Sequence, residues 1–356
     1  MAVPAAQKAL LIPAKFAPCV VGTIAVSQPK LGELLVRIDA TALNPIDWKI
    51  RVYGVLAETF PAVTGYDAAG VVVALGEGVT SFAVGDRVMV QGWFDAESKS
   101  VHGTFVQYFD LPARLAFKIP ESISIEAAAT IPSGISTAAF PLYHPDIPAS
   151  AKLKAPWTAE GAGAYSGKPF FVLGGSSCVG QFVIQLARLS GFAPIITTSS
   201  LHHTDYLQSL GATHVLDRRL PHETLIASAR EIAGGKPFDV VYDAISVTDT
   251  LALGYALTAP GGDFVIVLDL EPVPGRDDAT GKKVHMAHGL FMTPVNHGVG
   301  ASLLDALPKL LESGAIKPSR HEILPGGLAG IIDGLRRMEN DEVSGVKLVV
   351  RPQETV

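Results

Sequence analysis

The chain is poor in cysteine and has no long apolar run. Its 356 residues include only Cys19 and Cys178, too few for a disulfide framework or a cysteine-rich zinc site. Such sparse use is typical of a reducing compartment, and no apolar run reaches membrane-spanning length. Residues 1–22 lack a charged start followed by a long apolar stretch. We therefore expect no signal peptide and a cytoplasmic location.

The chain also lacks an excess of positive charge. Lysine and arginine number 28 against 34 aspartates and glutamates, which gives a formal net charge of −6. This balance argues against nucleic acid or an anionic membrane as a partner. Apolar residues make up 48% of the chain, enough for a large core, and the length predicts two domains.

A glycine-rich turn is the most informative feature of the sequence. The apolar run 170–173 is followed by a small-residue turn and then by helical spacing of Val179, Phe182, Val183 and Leu186. This order is typical of a dinucleotide-binding βαβ unit, although Ser177 replaces the middle glycine of the usual motif. A plain strand-to-helix turn is the alternative. The predicted diphosphate-binding residues are Gly174, Gly175, Ser176, Ser177, Cys178, Val179 and Gly180.

The second strand of this unit ends without an acid. Proteins that bind NAD usually place Asp or Glu there to bind the ribose 2′-OH. Hydroxyl, imidazole and guanidinium groups suit a 2′-phosphate instead, so the sequence favours NADPH. A solvated basic loop is the other interpretation. The residues concerned are Ser199, Ser200, His202, His203 and Arg218.

The periodicity changes along the chain. The first 135 residues predict a barrel of short strands, among them 34–40, 69–75, 87–91 and 104–111. Residues 143–168, rich in proline and glycine, predict a long loop. Strands at 170–173, 194–198, 214–216, 239–243 and 263–268 alternate with helices at 178–190, 203–210, 221–233 and 248–258. The alternation predicts an α/β fold with a doubly wound parallel sheet. Helices at 303–313 and 328–340 and a strand at 347–350 follow.

Several motifs together resemble a known family. They are Asn44-Pro45-Ile46-Asp47, residues 65–70, 84–88, 103–105, 127–132, 134–138 and 345–350. In this order the chain resembles the medium-chain dehydrogenase/reductase superfamily, in its zinc-independent quinone oxidoreductase and enoyl reductase branch. Residues 132–138, the long insert and residues 188–192 are most similar to fungal stand-alone enoyl reductases that serve polyketide synthases.

The resemblance implies the domain organisation and further cofactor contacts. It predicts a GroES-like domain at 1–137 and 305–356, a Rossmann domain at 138–304, and an active site in the cleft between them. Cofactor contacts are implied for Asn44, Ile46, Asp47, Lys49, Val267, Leu268, Val346 and Lys347, with Lys347 either pairing with the 2′-phosphate or merely starting an edge strand.

Three residues are candidates for the chemistry. By resemblance, Lys49 reaches the cofactor or the substrate carbonyl, where a cation would stabilise an enolate oxygen; otherwise it is an exposed lysine. Thr137 lies where substrate and nicotinamide meet, or bonds to its own helix. Tyr66 donates a proton, or is a core aromatic. Segment 281–296 is either a cleft wall or a surface loop. The implied substrate contacts are Thr137, Ala138, Phe140, His288 and Phe291.

We predict no metal. In zinc-dependent relatives the ligands would fall within 44–47, at Tyr66-Asp67 and near Ser133, and none of these positions holds Cys or His. Reduction of a polarised C=C bond needs only a hydride and a proton.

These observations predict an NADPH-dependent reductase of activated C=C bonds, in enoyl thioesters or enones, with a place in polyketide biosynthesis. Quinone reduction, metal-free carbonyl or alcohol chemistry and a non-enzymatic cofactor-binding role are the alternatives. The expected partner is a free or carrier-bound unsaturated acyl group, and the expected state is a monomer or homodimer.

Overall fold

The computed structural model describes residues 3–95 and 97–356. The signal-peptide prediction includes Met1 and Ala2, which lie outside the described residues. Two compact units form, Met1–Ser133 with Pro318–Val356, and Gly134–Lys317. The boundaries predicted from sequence, after residues 137 and 304, lie four residues later and thirteen residues earlier than these.

The first unit is built on strands. One sheet has the order β2-β1-β4-β8-β7; the other has the order β10-β6-β5-β3-β18-β17, with β9 also paired to β3. The strands are β1 Ala6–Ile12, β2 Val20–Ala25, β3 Glu33–Ala42, β4 Ala62–Val63, β5 Asp67–Leu75, β6 Arg87–Gln91, β7 Trp93–Asp95, β8 Ser100–His102, β9 Tyr108–Pro112, β10 Phe117–Lys118, β17 His321–Ile323 and β18 Lys347–Val350.

Close packing of β3 on β5 requires a glycine. A Cβ at Gly70 would overlap the Arg37 carbonyl oxygen of β3, so no other residue fits without moving a strand. Short helices complete the unit: α1 Pro45–Tyr53, α2 Ile125–Ala128 and α9 Gly330–Glu339. Helix α3 (Pro132–Tyr143) begins in this unit and continues into the second.

The second unit is a parallel sheet with the order β13-β12-β11-β14-β15-β16. Its strands are β11 Phe170–Leu173, β12 Ile195–Ser199, β13 His214–Asp217, β14 Phe238–Asp243, β15 Thr258–Ile266 and β16 Lys283–Met286. Its further helices are α4 Cys178–Leu189, α5 Thr204–Leu210, α6 His222–Ile232, α7 Thr248–Leu257 and α8 His297–Glu312. This strand order is that of a Rossmann fold. The predicted fold class, a GroES-like barrel with a doubly wound parallel sheet, is confirmed.

The core of the second unit explains why its first strand, Phe170–Leu173, is an unbroken apolar run. Both faces of the sheet are covered, and Phe171, Phe238, Leu251 and Phe264 are fully buried in one cluster. Residues 144–169 hold neither helix nor strand, as expected for the long loop. Aromatic side chains of this loop contact the rest of the unit. The Tyr165 ring stacks on the Phe192 ring at 4.9 Å, and Trp157 Nε1 donates a hydrogen bond to Ser302 Oγ at 3.0 Å.

In segment 281–296, residues Lys283–Met286 form the edge strand β16, and the buried His285 bonds through Nε2 to Asp263 Oδ1 at 2.7 Å. Whether the segment forms a cleft wall stays a prediction. Helix α8 begins at His297, six residues before the predicted start. Helical periodicity missed this start because its first turn, with two glycines, carries few apolar residues.

Candidate functional site

The glycine-rich turn after β11 is shaped by close backbone approaches. Gly174 has φ of 73°, which favours glycine. A Cβ at Gly175 would overlap the Thr197 hydroxyl, and a Cβ at Gly180 would overlap the Gly174 carbonyl oxygen. The turn therefore brings helix α4 against the end of the strand, as a diphosphate-binding turn requires.

The start of α4 offers free hydrogen-bond donors. Ser177 caps the helix, and its side chain accepts from the Gly180 N–H at 3.0 Å. Among the described residues, the backbone N–H groups of Ser176 and Val179 donate to no partner. Unpaired N–H groups at the positive end of a twelve-residue helix fit a diphosphate. Cys178 lies half-buried in this turn and packs near Gly134.

The end of β12 carries hydroxyls, as the sequence indicated. Ser199 is fully buried, and its Oγ has no hydrogen-bond partner within the described part of the chain. The 3₁₀ turn Leu201–His203 follows, with His202 exposed, His203 buried and their rings 3.9 Å apart. The Ser199 hydroxyl stands at the position where the acid that binds the ribose usually lies, and it is a buried polar group still without a partner among the described residues.

Sequence reasoning missed the acid on the neighbouring strand. Asp217, the last residue of β13, is the register partner of Ser199. The exposed Arg218 follows it and donates its backbone N–H to the Ser199 carbonyl oxygen at 3.0 Å. Parallel pairing could have revealed this acid, because the strands of such a sheet end at a common edge.

The ends of β14 and β15 complete this edge of the sheet. Asp243 Oδ1 accepts from the N–H groups of Ile245 (2.9 Å) and Ser246 (3.0 Å), and burial raises the Asp243 pKa to about 6. Ser246 has φ of 60°, and its hydroxyl accepts from the Val267 N–H at 2.8 Å. The loops thus join behind Val267 and Leu268, both half-exposed. Asp243 and Ser246 carry no short motif that would have singled them out.

A buried polar network occupies the first unit around Asp67, which is fully buried. Lys347 Nζ, also buried, donates to Asp67 Oδ2 and to Asn44 Oδ1 (3.0 Å). Asn44 Nδ2 donates to Asp67 Oδ2 at 2.8 Å, and the Ser133 N–H donates to Asp67 Oδ1 at 2.6 Å. One ammonium therefore joins segments that the sequence places up to 303 positions apart.

This network changes the assignment of Lys347. The ammonium is held by Asp67 and Asn44, and so is not free for the 2′-phosphate suggested by the sequence. Separating a buried ion pair leaves an uncompensated charge and costs about 3–5 kcal/mol. Lys347, the first residue of β18, therefore forms a structural ion pair with Asp67 within this unit. Val346, which precedes it, is half-buried.

Asp47 and Tyr66 lie next to this network. Asp47 is buried, and its carboxylate accepts from the N–H groups of Asn44 (2.7 Å) and Gly65 (3.2 Å). Burial, assisted by the Asp67 charge, raises its pKa to about 7. The Tyr66 hydroxyl is buried without a hydrogen-bond partner among the described residues, and burial raises its pKa. An unpaired phenol that holds its proton has the chemistry of a donor.

Lys49 contrasts with Lys347. It lies half-buried on α1, after the half-buried Ile46, and its Nζ is 5.6 Å from the Trp48 ring centre. Within residues 3–95 and 97–356 its ammonium has no ion-pair or hydrogen-bond partner. Burial lowers its pKa. A desolvated ammonium without a counter-ion is poised to bind an oxyanion.

The predicted substrate residues lie together in the second unit, but most of them are covered. Thr137 packs against Gly289, and the Phe140 and Phe291 rings meet edge to face at 5.0 Å. Ala138, Phe140 and Phe291 are at most 2% exposed in this structure, and their contact with a substrate stays a prediction. Only the half-exposed Thr137 and the exposed His288 present surface to a ligand. Apolar character alone cannot distinguish a core aromatic from one that lines a pocket.

The described residues form neither a metal cluster nor a helix that could cross a membrane. The described residues contain no group of three or more His, Cys, Asp or Glu side chains that could hold a metal ion. None of the helices in the described part of the chain is long and apolar enough to span a bilayer. Strands β7 and β8 pair antiparallel, and the Trp93 ring stacks on the His102 ring at 4.1 Å.

Comparisons with known proteins identify the class. Residues 30–121 match the alcohol dehydrogenase GroES-like domain, and residues 178–269 match the zinc-binding dehydrogenase domain. These domains define a nicotinamide-dependent dehydrogenase/reductase.

Relatives narrow the class. The chain is 32% identical over 323 residues to the trans-enoyl reductase himH of Aspergillus japonicus, covering 89% of each chain. It is 32% identical over 344 residues to the lovastatin nonaketide synthase enoyl reductase component lovC of Aspergillus terreus, covering 90% of this chain and 89% of that one. The CurK enoyl reductase shares the fold, with a TM-score of 0.76 and 20% identity, over 98% of this chain and 99% of that chain. The chain belongs to the medium-chain dehydrogenase/reductase superfamily, in the branch that includes the trans-enoyl reductases.

Proposed function

We propose that this chain is an NADPH-dependent enoyl reductase, which saturates the C=C bond of an α,β-unsaturated thioester or ketone and leaves the carbonyl intact. Its relatives named enoyl reductases, similar over about nine-tenths of the chain, support the reaction class. Within the chain, the observation that carries the proposal is the half-buried ammonium of Lys49, which has no counter-ion among the described residues.

The residues suit conjugate reduction. Bound NADPH would supply the hydride that adds to the β-carbon. The electron pair of the C=C bond then moves toward the carbonyl oxygen, where the Lys49 ammonium would stabilise the enolate. The α-carbon takes a proton from water or from Tyr66, whose raised pKa keeps its hydroxyl protonated at neutral pH.

The donor set also supports a reaction without zinc. The resemblance places zinc ligands within 44–47, at Tyr66-Asp67 and near Ser133, and the Asp67 carboxylate is already held by the Lys347 ammonium and by Asn44. A lysine cation repels a metal cation, and amide and hydroxyl oxygens bind zinc weakly compared with thiolate and imidazole. We propose further that the enzyme works in the cytoplasm on a free or carrier-bound acyl group, as a monomer or homodimer.

A substrate panel tests the reaction. We expect NADPH oxidation with crotonyl and branched 2-enoyl thioesters, and mass spectrometry should show saturated products with the carbonyl intact. Activity confined to quinones, or an allylic alcohol as product, would contradict the proposal. Stoichiometric zinc in the purified protein, by elemental analysis, would contradict the metal-free assignment.

Lys49→Ala tests the role of the ammonium. Loss of one oxyanion donor typically slows turnover by about 100- to 1,000-fold, whereas NADPH affinity should change little. Arg51→Ala, on the same helix but paired with Glu339, is the control and should keep its turnover. Equal losses in both variants would mean that α1 itself is disturbed, and turnover near wild type in Lys49→Ala would refute the assignment.

A further inference from the structure

We infer that Arg219 determines nucleotide specificity by neutralising Asp217, so that this carboxylate neither repels a 2′-phosphate nor captures a 2′-OH. The inference rests on the proposed use of NADPH. It assigns to this chain an indirect specificity residue, one that acts on the ligand through a neighbouring acid.

The location follows from strand register. Ser199 ends β12, at the position where NAD-binding proteins usually carry the ribose acid. Asp217 is its register partner on β13, and the Arg218 N–H donates to the Ser199 carbonyl oxygen at 3.0 Å. An acid missing from one strand is therefore present on the next, at the same level of the sheet edge.

Arg219 donates hydrogen bonds to both carboxylate oxygens of Asp217. Its Nε donates to Asp217 Oδ1 at 3.1 Å and its Nη2 to Oδ2 at 2.8 Å, and its backbone N–H also donates to Oδ1 at 3.0 Å. The paired guanidinium holds the pKa of Asp217 well below its usual range, so the carboxylate stays ionised while its charge is balanced. Both of its oxygens are engaged, which leaves it poorly able to accept from a ribose hydroxyl.

Arg218, unlike Arg219, is not paired with a carboxylate in the described part of the chain. Its side chain is exposed and, within the described residues, forms no ion pair. The short segment 217–219 thus presents one balanced pair and one free cation beside the Ser199 hydroxyl. A 2′-phosphate would meet net positive charge here; without Arg219 it would meet a bare carboxylate.

A surface pair of this kind contributes little to folding, since Arg219 is 79% exposed. It still changes ligand choice, because a carboxylate within a few ångströms of a phosphate weakens binding by about five- to tenfold even in water. Its effect should therefore appear in nucleotide affinity and not in stability.

The test is a double-mutant cycle on the full chain, with NADP⁺, NAD⁺ and adenosine 2′,5′-bisphosphate titrated by calorimetry in the absence of any reducible substrate. Arg219→Ala should weaken NADP⁺ and the bisphosphate by about five- to tenfold and leave NAD⁺ unchanged or tighter. In the Asp217→Asn background the same change should have less than a twofold effect. Arg219→Lys should restore part of the NADP⁺ affinity.

Arg218→Ala is the matched control, and it should weaken NADP⁺ equally in both Asp217 backgrounds. If Arg219→Ala also acts equally in both, Arg219 contacts the phosphate itself and the masking role is overturned; no effect in the wild-type background overturns it as well. A wild-type chain that binds NAD⁺ as tightly as NADP⁺ would instead remove the proposed cofactor, and the two failures are thus distinguishable. Thermal unfolding of each variant verifies that it is folded.

Discussion

Two regions of the molecule differ in whether their polar groups have hydrogen-bond partners. Around Asp67 in the first unit, charges are buried and satisfied by one another: Lys347, Asn44 and the Ser133 N–H use up the carboxylate. At the sheet edge of the second unit, polar groups are left without partners, including the Ser199 hydroxyl and the N–H groups of Ser176 and Val179 among the described residues.

The difference separates structure from binding. A closed network of buried charges stabilises only the arrangement that contains every member, because any missing partner leaves an uncompensated charge. Unpaired donors instead remain able to bind a ligand. The free energy lost by leaving them without a partner is regained when the ligand binds. Substitutions in the two regions should therefore act on different measurements.

The largest effect is expected from Lys347→Met, which strands the buried Asp67 carboxylate. We expect a loss of about 3–5 kcal/mol in the free energy of unfolding, measured with urea. Adding Asp67→Asn should recover part of the loss, since the stranded charge disappears. A loss below about 1 kcal/mol, the range of a surface pair, would show that the network is not a closed unit.

Gly180→Ala probes the open region. The added Cβ would overlap the Gly174 carbonyl oxygen and push the turn away from α4. NADP⁺ affinity should fall by at least about tenfold, or about 1.4 kcal/mol, as measured by calorimetry. Gly298→Ala is the control, because nothing lies within 4 Å of its Cβ position, and it should bind NADP⁺ like wild type. Unchanged affinity in Gly180→Ala would mean that this turn does not hold the diphosphate.

The pH dependence of stability sharpens the comparison. The raised pKa values, about 7 for Asp47 and about 6 for Asp243, mean that the folded state holds protons that the unfolded state releases near pH 4. Stability should therefore fall as pH rises through these windows, by up to about 1.4 kcal/mol per unit for each group. Between pH 6 and 7 Asp47 contributes more of this change than Asp243, which is already half ionised at pH 6.

Urea unfolding at pH 5, 6 and 7 measures these slopes. Asp47→Asn should flatten the slope up to pH 7, and Asp243→Asn should flatten it mainly below pH 6 and less between pH 6 and 7. Either substitution also changes the free energy of unfolding at every pH. The test therefore compares how steeply that free energy changes with pH, and not its absolute value. A slope between pH 6 and 7 that survives Asp47→Asn undiminished would exclude that carboxyl as its source.

Local patterns predicted the second unit well and parts of the first. Strand β11 is a continuous apolar run, the strands and helices of this unit alternate along the chain, and the glycine turn is a contiguous signal, so all three could be found from neighbouring residues. The first two strands, Ala6–Ile12 and Val20–Ala25, were not among the strands predicted by number, since neither alternates cleanly between buried and exposed positions. The site residues Asp217, Asp243 and Ser246 were missed because no local pattern marks them.

The sequence by itself determined the α/β class, the family and the position of the diphosphate turn, because each depends on spacing within a short stretch of chain. Only the tertiary structure decided which charges meet. Lys347 reaches Asp67 across 280 positions, strand register sets Asp217 beside Ser199, and the Phe140 and Phe291 rings pack edge to face in a buried contact. Electrostatic pairing and exposure depend on distance in space, which separation along the chain does not encode.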